Sequence, residues 1–313
     1  MGTPAHCDKH RPSVRLSSGL GNDRRAHGCD PLRVARRLLT AIALAGLLLA
    51  SSPAPGAASA PGAATVQRLA AQLASSREAI QGSKAAADQV AIQPPPPTAL
   101  DAAILDMRRS EAAYRLRQAI RNEQTVIYRL AGDPALAGQV LARVPPASQP
   151  GVGDLLAGLR AAWTASGVVD QGLEQPLLDR RFLDSAPVET LLRYYQAAGS
   201  ASGLDWTYLA AINYVESDFG RTNGPSASGA LGPMQFMPGT WQEIGAGDIS
   251  SPHDSIMAAG RLLRLNGAPA DYAQAIFGYN NDRNYVESIQ RLAAAMRADP
   301  LWLWRLYYWN TYG

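Results

Sequence analysis

The sequence is poor in the side chains on which most metal and nucleophile chemistry depends. Of its 313 residues, two are cysteine and four are histidine. Both cysteines, Cys7 and Cys29, lie within the first 60 residues, and His253 is the only histidine of residues 61–313. His-based zinc sites, Cys–His pairs and cysteine nucleophiles are therefore difficult to assemble, and a Ser–His–Asp triad would have to use His253. We expect no metal, no cofactor and chemistry that depends mainly on carboxylates.

The sequence also lacks an excess of basic side chains outside its N-terminal segment. Its first 60 residues contain eight Lys or Arg and three Asp or Glu, whereas residues 61–313 contain 21 basic and 23 acidic side chains. The formal charge of +3 therefore belongs to the N-terminal segment. Because nucleic-acid binding depends on a basic footprint, we expect no nucleic acid among the partners.

Residues 1–60 have the pattern of an export signal. A basic cluster at 33–37 precedes a 13-residue apolar run at 38–50, and small residues follow through Ala64. Export signals have this order, whereas a membrane span needs about 20 apolar residues. The sequence predicts an exported protein, in the periplasm, at the cell wall or outside the cell. Retention of the segment as an anchor is the second interpretation.

Strand alternation is scarce, and the chain after residue 60 is predicted to be mainly α. We expect a helical accessory region at 61–135, a helical connector at 136–186 and a final domain at 187–313. The prolines at 94–97 break the accessory region into two long helices, and Thr98 with Asp101 resembles a capping box at the start of the second. The second helix either pairs with the first as an antiparallel hairpin or lies along the globular domain.

The polar face of the second long helix is rich in arginine. Contact with wall polymer or with membrane headgroups is one interpretation, and a solvated face balanced by Glu111 and Glu123 is the favoured one. The arginines are Arg108, Arg109, Arg115, Arg117, Arg121 and Arg129.

The helix predicted between Asp205 and Gly220 carries an acid on an apolar stripe. Asp205 suits an N-cap and Gly220 a C-terminal stop. Burial of Glu216 would raise its pKa and suit it to general acid catalysis. A structural carboxylate at the edge of the core is the alternative, and the helix alone favours it. The stripe consists of Leu209, Ile212, Glu216 and Phe219.

The segments that follow contain further polar candidates. A loop with five glycines spans 220–239 and could bring backbone close to a ligand or simply form turns. Gln235 lies within this loop among apolar residues, and Tyr279 with Asn280 ends a predicted helix. Each of these residues alone suits a structural role as well as a cleft.

In combination, these motifs resemble a known family. The order is Glu216-Ser217, then Ser226 to Gln235 with glycines at 229 and 232, then Tyr279-Asn280. It resembles the lytic transglycosylases of the lysozyme superfamily, and residues 229–241 are most similar to the soluble and membrane-bound B-type branches. The resemblance covers about residues 187–297.

The resemblance implies a lysozyme-like domain that acts on peptidoglycan glycan strands. Such a domain would cleave the β-1,4 bond between N-acetylmuramic acid and N-acetylglucosamine. Glu216 would protonate the glycosidic oxygen and then, as a base, help the muramoyl O6 close a 1,6-anhydro ring. The substrate-binding residues implied are Ser217, Ser226, Met234, Gln235, Tyr279 and Asn280.

Two other functions remain open at this point. A muramidase of the same fold would need a second carboxylate. Asp218 points away from Glu216 along the helix, and Asp254 is expected to cap a helix that starts at Ser255, whereas Asp248 and Asp282 stay open. A glycan-binding wall protein without catalysis is the other function. The aromatic segment at 301–312 is expected to pack over the domain rather than to stack on sugars.

Overall fold

The computed structural model describes residues 62–167, 184–222, 224–226 and 228–309. The predicted export signal lies outside these residues. Within them the chain is helical and contains no sheet, which confirms the mainly α prediction. The helices are α1 (Ala63–Ala91), α2 (Ala99–Gly132), α3 (Pro134–Leu141), α4 (Val152–Ser166), α5 (Val188–Ser202), α6 (Trp206–Ser217), α7 (Pro238–Ile244), α8 (Pro252–Leu265), α9 (Tyr272–Tyr279), α10 (Arg283–Ala298) and α11 (Leu301–Tyr308).

Helices α1 and α2 form the hairpin that was one of the two predicted arrangements. They pack along each other, and the prolines at 94–97 lie in the turn between them, where their missing N–H groups and fixed φ exclude helix. The Thr98 hydroxyl accepts a hydrogen bond from the Asp101 N–H at 3.1 Å, so the predicted cap is present. The C-terminal half of α2 also packs against α4 and α11, so the hairpin is joined to the globular part.

Glu123 of α2 is not on the solvated face where the sequence placed it. Its side chain is only 1% exposed, and its carboxylate lies 3.2 Å from the Arg305 guanidinium of α11. The pKa of Glu123 is raised by burial, and Arg305 opposes that rise. The spacing explains the location: Glu123 follows Ile120 by three residues and precedes Ile127 by four, so it shares their buried face.

Helix α11 closes the core beside this ion pair. The indole of Trp302 is buried and donates a hydrogen bond to the Pro150 carbonyl at 3.0 Å. The Arg305 guanidinium lies over the Trp302 ring, 4.1 Å from its centre. The described part of the aromatic segment, residues 301–309, therefore packs over the domain as predicted. No helix among the described residues is both long enough and apolar enough to span a bilayer.

Candidate active site

Helix α6 runs from Trp206 to Ser217 and stops three residues before the predicted Gly220. Asp205 caps it as expected, accepting a hydrogen bond from the Thr207 N–H at 3.0 Å. The helix ends early because Asp218 and Phe219 have left-handed backbones, with φ of 50° and 60°. Such angles are costly for side chains other than glycine and occur often at functional sites. Phe219 is therefore past the helix rather than part of its stripe, and that prediction was wrong.

Burial of α6 is complete rather than one-sided. Every residue from Thr207 to Ser217 is buried, because α5, α8 and α10 pack around the helix. The argument from a single apolar face was therefore incomplete. Glu216 is 6% exposed, so its carboxyl group is almost wholly removed from water.

Among the described residues, one side chain forms a hydrogen bond with the Glu216 carboxyl group. The Tyr285 hydroxyl of α10 donates a hydrogen bond to Glu216 Oε1 at 2.7 Å. Burial raises the pKa of Glu216 to about 7, and the Tyr285 hydrogen bond opposes that rise. A carboxyl group with this pKa is partly protonated at neutral pH, and it can therefore both give and accept a proton there.

Within the part of the chain that the structure describes, no second carboxylate of the kind a hydrolase would use lies beside Glu216. No acidic side chain among the described residues contributes to the pKa of Glu216. Asp218 pairs with Arg221 at 3.3 Å, and Asp282 caps α10 through the Asn284 N–H at 2.7 Å.

Of the two remaining aspartates, Asp248 lies in the loop before α8 and Asp254 lies in the first turn of that helix. Asp248 is exposed, and its carboxylate accepts hydrogen bonds from the N–H and hydroxyl of Ser250. Asp254 accepts one from the Asp248 N–H at 2.9 Å. Helix α8 begins at Pro252 and its cap is Ser251, so the prediction that Asp254 caps a helix at Ser255 was wrong.

The glycine-rich loop folds back on itself over residues 231–236. Leu231 and Phe236 exchange two backbone hydrogen bonds, at 2.8 and 2.9 Å. Gln235 has a left-handed backbone and donates its amide N–H to the Gly232 carbonyl at 2.8 Å. Its side-chain oxygen is buried and has no hydrogen-bond partner among the described residues. This oxygen is thus able to accept a hydrogen bond from a ligand.

Tyr279 links the loop to Glu216. Its hydroxyl donates a hydrogen bond to the Met234 carbonyl at 2.6 Å, and the Met234 side chain is buried below the loop. Burial raises the pKa of Tyr279, and the negative charge of the Glu216 carboxylate raises it further. Asn280 follows at the C-terminal end of α9 and is half-buried. The structure therefore brings the Glu216, Met234–Gln235 and Tyr279–Asn280 motifs together.

Ser217 and Ser226 have local partners in the loop. The Ser217 hydroxyl donates to the Pro233 carbonyl at 2.5 Å and accepts from the Gly220 N–H at 2.8 Å. Ser226 accepts a hydrogen bond from the Ala230 N–H at 2.9 Å. Both hydroxyls shape the loop, and their direct contact with a sugar stays a prediction.

Residues 193–300, which hold all these groups, match the family described as Transglycosylase SLT domain. The chain contains an SLT domain. The resemblance drawn from the sequence motifs is thereby confirmed at the level of this domain. Among the described residues, no group of three or more His, Cys, Asp or Glu side chains is placed to hold a metal ion.

Curated relatives resemble the same part of the chain. Membrane-bound lytic murein transglycosylase F of Thiobacillus denitrificans is 33% identical over 118 residues, 35% of this chain and 25% of that protein. The protein of the same name from Marinobacter nauticus is 32% identical over 125 residues, 36% of this chain and 25% of that protein. The chain thus spans about a quarter of the length of these relatives. No solved structure gives a significant match, and the similarity to the B-type branches stays a prediction.

Tyr285 of the SLT domain is the site residue that sequence reasoning missed. Asp282 signals the start of α10, but nothing in the local sequence shows that the third residue of this helix reaches Glu216. The contact exists because α10 packs on α6, bringing together residues that lie 69 positions apart. The signal is therefore tertiary.

Replacing Tyr285 by Phe is expected to shift the pH dependence of the SLT domain. The hydroxyl favours the charged form of Glu216, so its loss raises the Glu216 pKa further. We expect the limb of the kcat/KM-against-pH profile that reflects titration of Glu216 to shift to higher pH by roughly one pH unit. Tyr272→Phe is the matched control, because the Tyr272 hydroxyl bonds to the Asp205 backbone instead. Equal profiles for Tyr285→Phe and wild type would contradict the expectation.

Gly232→Ala is expected to disrupt the loop of the SLT domain. A Cβ atom at this position would lie 2.0 Å from the Ile249 carbonyl oxygen, and φ is 75°. We expect a loss of at least about 1–3 kcal/mol in the free energy of unfolding, measured by urea denaturation. Gly229→Ala separates the two causes, since Gly229 also has a positive φ but no neighbour within 4 Å. Equal losses in the free energy of unfolding of both variants would show that contact with the Ile249 carbonyl is not the cause of the destabilisation.

Proposed function

We propose that this chain is a lytic transglycosylase of the cell envelope that cleaves the N-acetylmuramic acid–β-1,4-N-acetylglucosamine bond of peptidoglycan. The observation that carries the proposal is one buried carboxyl group, Glu216, with a pKa of about 7 and no acidic partner among the described residues. The SLT domain supports the proposal, as do the relatives named as membrane-bound lytic murein transglycosylases.

The first step depends on the protonated form of Glu216. The acid donates its proton to the glycosidic oxygen as the bond from that oxygen to the muramoyl C1 breaks, and the N-acetylglucosamine leaves with a free hydroxyl. Burial favours the protonated form at neutral pH because the desolvated carboxylate is costly. General acid catalysis of this kind contributes about 10²- to 10⁴-fold to a rate.

The second step depends on the carboxylate that the first step leaves. Glu216 accepts the proton of the muramoyl O6 hydroxyl while O6 bonds to C1 and closes the 1,6-anhydro ring. The O6 proton restores the acid form of Glu216, no water enters, and one carboxyl group serves both steps. Enzymes that hydrolyse glycosides generally use two, so the lack of an acidic partner for Glu216 among the described residues favours the ring-closing route.

The remaining polar groups are proposed to hold the sugar. The unpartnered oxygen of Gln235 is available to accept a hydrogen bond from a sugar hydroxyl or amide. Tyr279 holds the Met234 carbonyl and thereby the loop on which Gln235 lies. Ser217 and Ser226 support the same loop, and Asn280 extends the polar wall from the end of α9.

Product analysis tests this chemistry against the muramidase. Purified peptidoglycan is digested and the fragments are separated and weighed by mass spectrometry. We expect muramoyl termini one water lighter than the hydrolytic product, with no change in proportion as digestion proceeds. Hydrated reducing ends as the only products would overturn the ring-closing step and favour a hydrolase. The third function, a wall protein without catalysis, is tested by the Glu216 variant below.

The domain limits are also part of the proposal. We assign residues 1–60 to export, 61–135 to an accessory hairpin, 136–186 to a connector and 187–313 to catalysis. The position of Glu123 under Arg305 ties the hairpin to the catalytic part. An exported enzyme would meet peptidoglycan in the envelope, which is consistent with the names of the relatives.

A further inference from the structure

The turn that follows Glu216 has an unfavourable backbone. Asp218, Phe219 and Gly220, here called the Glu216 turn, have φ of 50°, 60° and 88°. Left-handed angles suit glycine but are costly for residues that carry a Cβ atom. Such a conformation persists only where surrounding groups hold it. Because Glu216 lies just before this turn, the position of its carboxyl group depends on the groups that hold the turn.

Packing and one hydrogen bond hold the middle of the Glu216 turn. The ring centre of Phe219 lies 5.5 Å from that of Tyr214 and 5.7 Å from that of Tyr307 in α11. The Phe219 carbonyl accepts a hydrogen bond from the Ser185 hydroxyl at 2.6 Å. Ring packing fills space, whereas directional hydrogen bonds fix the orientation of peptide groups. A polar link between the turn and α11 would therefore add a constraint that the rings do not supply.

The Arg221 guanidinium forms this link. Its Nη1 lies 3.3 Å from the Asp218 carboxylate and 3.4 Å from the Asp218 carbonyl, and its Nη2 donates a hydrogen bond to the Tyr307 carbonyl at 2.9 Å. The guanidinium carbon lies 4.3 Å from the centre of the Tyr307 ring. The Arg221 side chain is 21% exposed and that of Asp218 is wholly buried. A planar fork that donates to two sides and stacks on a ring is a property of arginine.

Helix α11 is a fixed support for this link. The helix ends one residue after Tyr307, so the Tyr307 carbonyl is one of the last four, which have no partner within the helix. A cation at this end also complements the helix dipole. Residues 302–307 are all buried, and the Tyr307 hydroxyl donates a hydrogen bond to the Ala186 carbonyl at 3.0 Å. The Arg305–Glu123 pair holds α11 against the hairpin.

We propose that Arg221 is a positioning residue for the reaction at Glu216, because it fastens the Glu216 turn to α11 and thereby fixes where the acid lies. Arg221 acts through the turn rather than through its charge: the pKa of Glu216 depends on burial and on the Tyr285 hydrogen bond, and no arginine among the described residues contributes to it. The proposal rests on the proposed function, in which Glu216 is the general acid.

Steady-state kinetics of the full chain on soluble peptidoglycan strands test the proposal. We expect Arg221→Met to lower kcat at least about tenfold and to leave KM within about twofold, because a displaced acid weakens the transition state more than substrate binding. An unchanged kcat would overturn the proposal, and a raised KM beside it would assign Arg221 to substrate binding.

Arg297→Met is the matched control for these kinetics. Arg297 also pairs with an aspartate, Asp205 at 3.0 Å, and lies over a tyrosine ring, that of Tyr208. Because Asp205 caps the N-terminal end of α6, this arginine lies at the end of the helix remote from Glu216. We expect kcat and KM of Arg297→Met to equal those of wild type. An equal fall of kcat in both variants would mean that loss of any such arginine perturbs the domain, and it would overturn a specific role for Arg221.

Arg221→Lys separates the link from its charge. Lysine keeps a cation beside the Asp218 carboxylate but lacks the planar fork that reaches both sides. We expect its kcat to stay below that of wild type, and recovery of the wild-type kcat would overturn the proposed link. This variant also carries the test if Arg221→Met fails to fold, which circular dichroism checks.

Carbon NMR titration of Glu216 tests the positioning without relying on cleavage. In chains labelled at the glutamate carboxyl carbons, the Glu216 signal is the one absent from Glu216→Gln. We expect a pKa of about 7 in wild type and in Arg297→Met, and a lower pKa in Arg221→Met, because a released turn lets water reach the carboxylate. Loss of positive charge alone would act in the opposite direction, so an unchanged or raised pKa would overturn the proposal.

The titration also separates this proposal from the proposed function. Absence of cleavage by wild type, together with a lowered pKa of Glu216 in Arg221→Met, would contradict the proposed function and leave the support of Glu216 by Arg221 standing. Cleavage by wild type with equal kcat and equal pKa in wild type and Arg221→Met would do the reverse.

Discussion

Glu216→Gln is expected to lower the rate of peptidoglycan cleavage by about two or more orders of magnitude. The amide keeps the shape of the side chain and can still accept the Tyr285 hydrogen bond, but it has no proton to give the glycosidic oxygen. Release of soluble fragments measures the rate, and cosedimentation with insoluble peptidoglycan measures binding. We expect binding to be retained. Equal cleavage by wild type and Glu216→Gln would show that Glu216 is not the general acid. Absence of cleavage by wild type would favour a glycan-binding protein without catalysis.

The same substitution has a stability signature that serves as its control for folding. The pKa of Glu216 is about 7 in the folded chain against an ordinary value of 4.5, so between these pH values the folded state binds more protons than the unfolded state. The free energy of unfolding of wild type therefore falls as pH rises through this window. Glu216→Gln avoids that loss, on the order of 2–3 kcal/mol. Urea denaturation at pH 5 and pH 8 should show that the free energy of unfolding of the variant, relative to that of wild type, is higher at pH 8 than at pH 5.

Arg305→Ala is expected to lower the free energy of unfolding by about 3–5 kcal/mol. Arg305 is 1% exposed and neutralises Glu123 at 3.2 Å, with Asp299 at 3.5 Å. Its removal leaves two buried carboxylates, and the one other cation paired with them among the described residues is Arg77, 3.4 Å from Asp299. Urea denaturation followed by circular dichroism measures the loss. A change below about 1 kcal/mol would mean that the carboxylates reach water without cost.

Two further variants, one at an exposed ion pair elsewhere on α2 and one within this cluster, separate the effect of charge from that of packing. Glu111→Ala removes one partner of an exposed ion pair, Glu111–Arg115 at 2.6 Å, and should cost less than about 1 kcal/mol. The double variant Glu123→Leu with Arg305→Met should cost less than Arg305→Ala alone, because no unpaired charge remains in the core. A double variant as unstable as the single one would assign the effect to lost packing around Trp302.

Part of the candidate active site could be predicted because its residues form short motifs whose order along the chain resembles that of a known family. Glu216 with Ser217, the glycine-rich segment and Tyr279 with Asn280 form an ordered pattern, and the fold brings these three segments together. Asp205 and Thr98 were predicted as helix caps for a local reason, since a cap depends on the N–H groups two or three residues ahead. Interactions between residues two or three positions apart can be predicted from the local sequence.

Other features were predicted incorrectly or missed because they depend on distant residues. Glu123 was assigned to a solvated face on composition alone, and the buried arginine that pairs with it lies 182 positions later on α11. The helix was predicted to include Phe219 because nothing in the sequence indicates that Asp218, which is not a glycine, has a left-handed backbone. Tyr285 had no signal as a partner of Glu216.

The sequence by itself determined the helical class, the hairpin break at 94–97 and the identity of the candidate acid, since these follow from local propensity, proline geometry and motif order. Tertiary structure alone decided how that acid behaves. The pKa of Glu216 depends on how much water the surrounding helices exclude and on the Tyr285 hydroxyl. Both are properties of packing between segments far apart in the chain. The spacing along α6 predicted the direction of the pKa shift, but neither its size nor the contact with Tyr285.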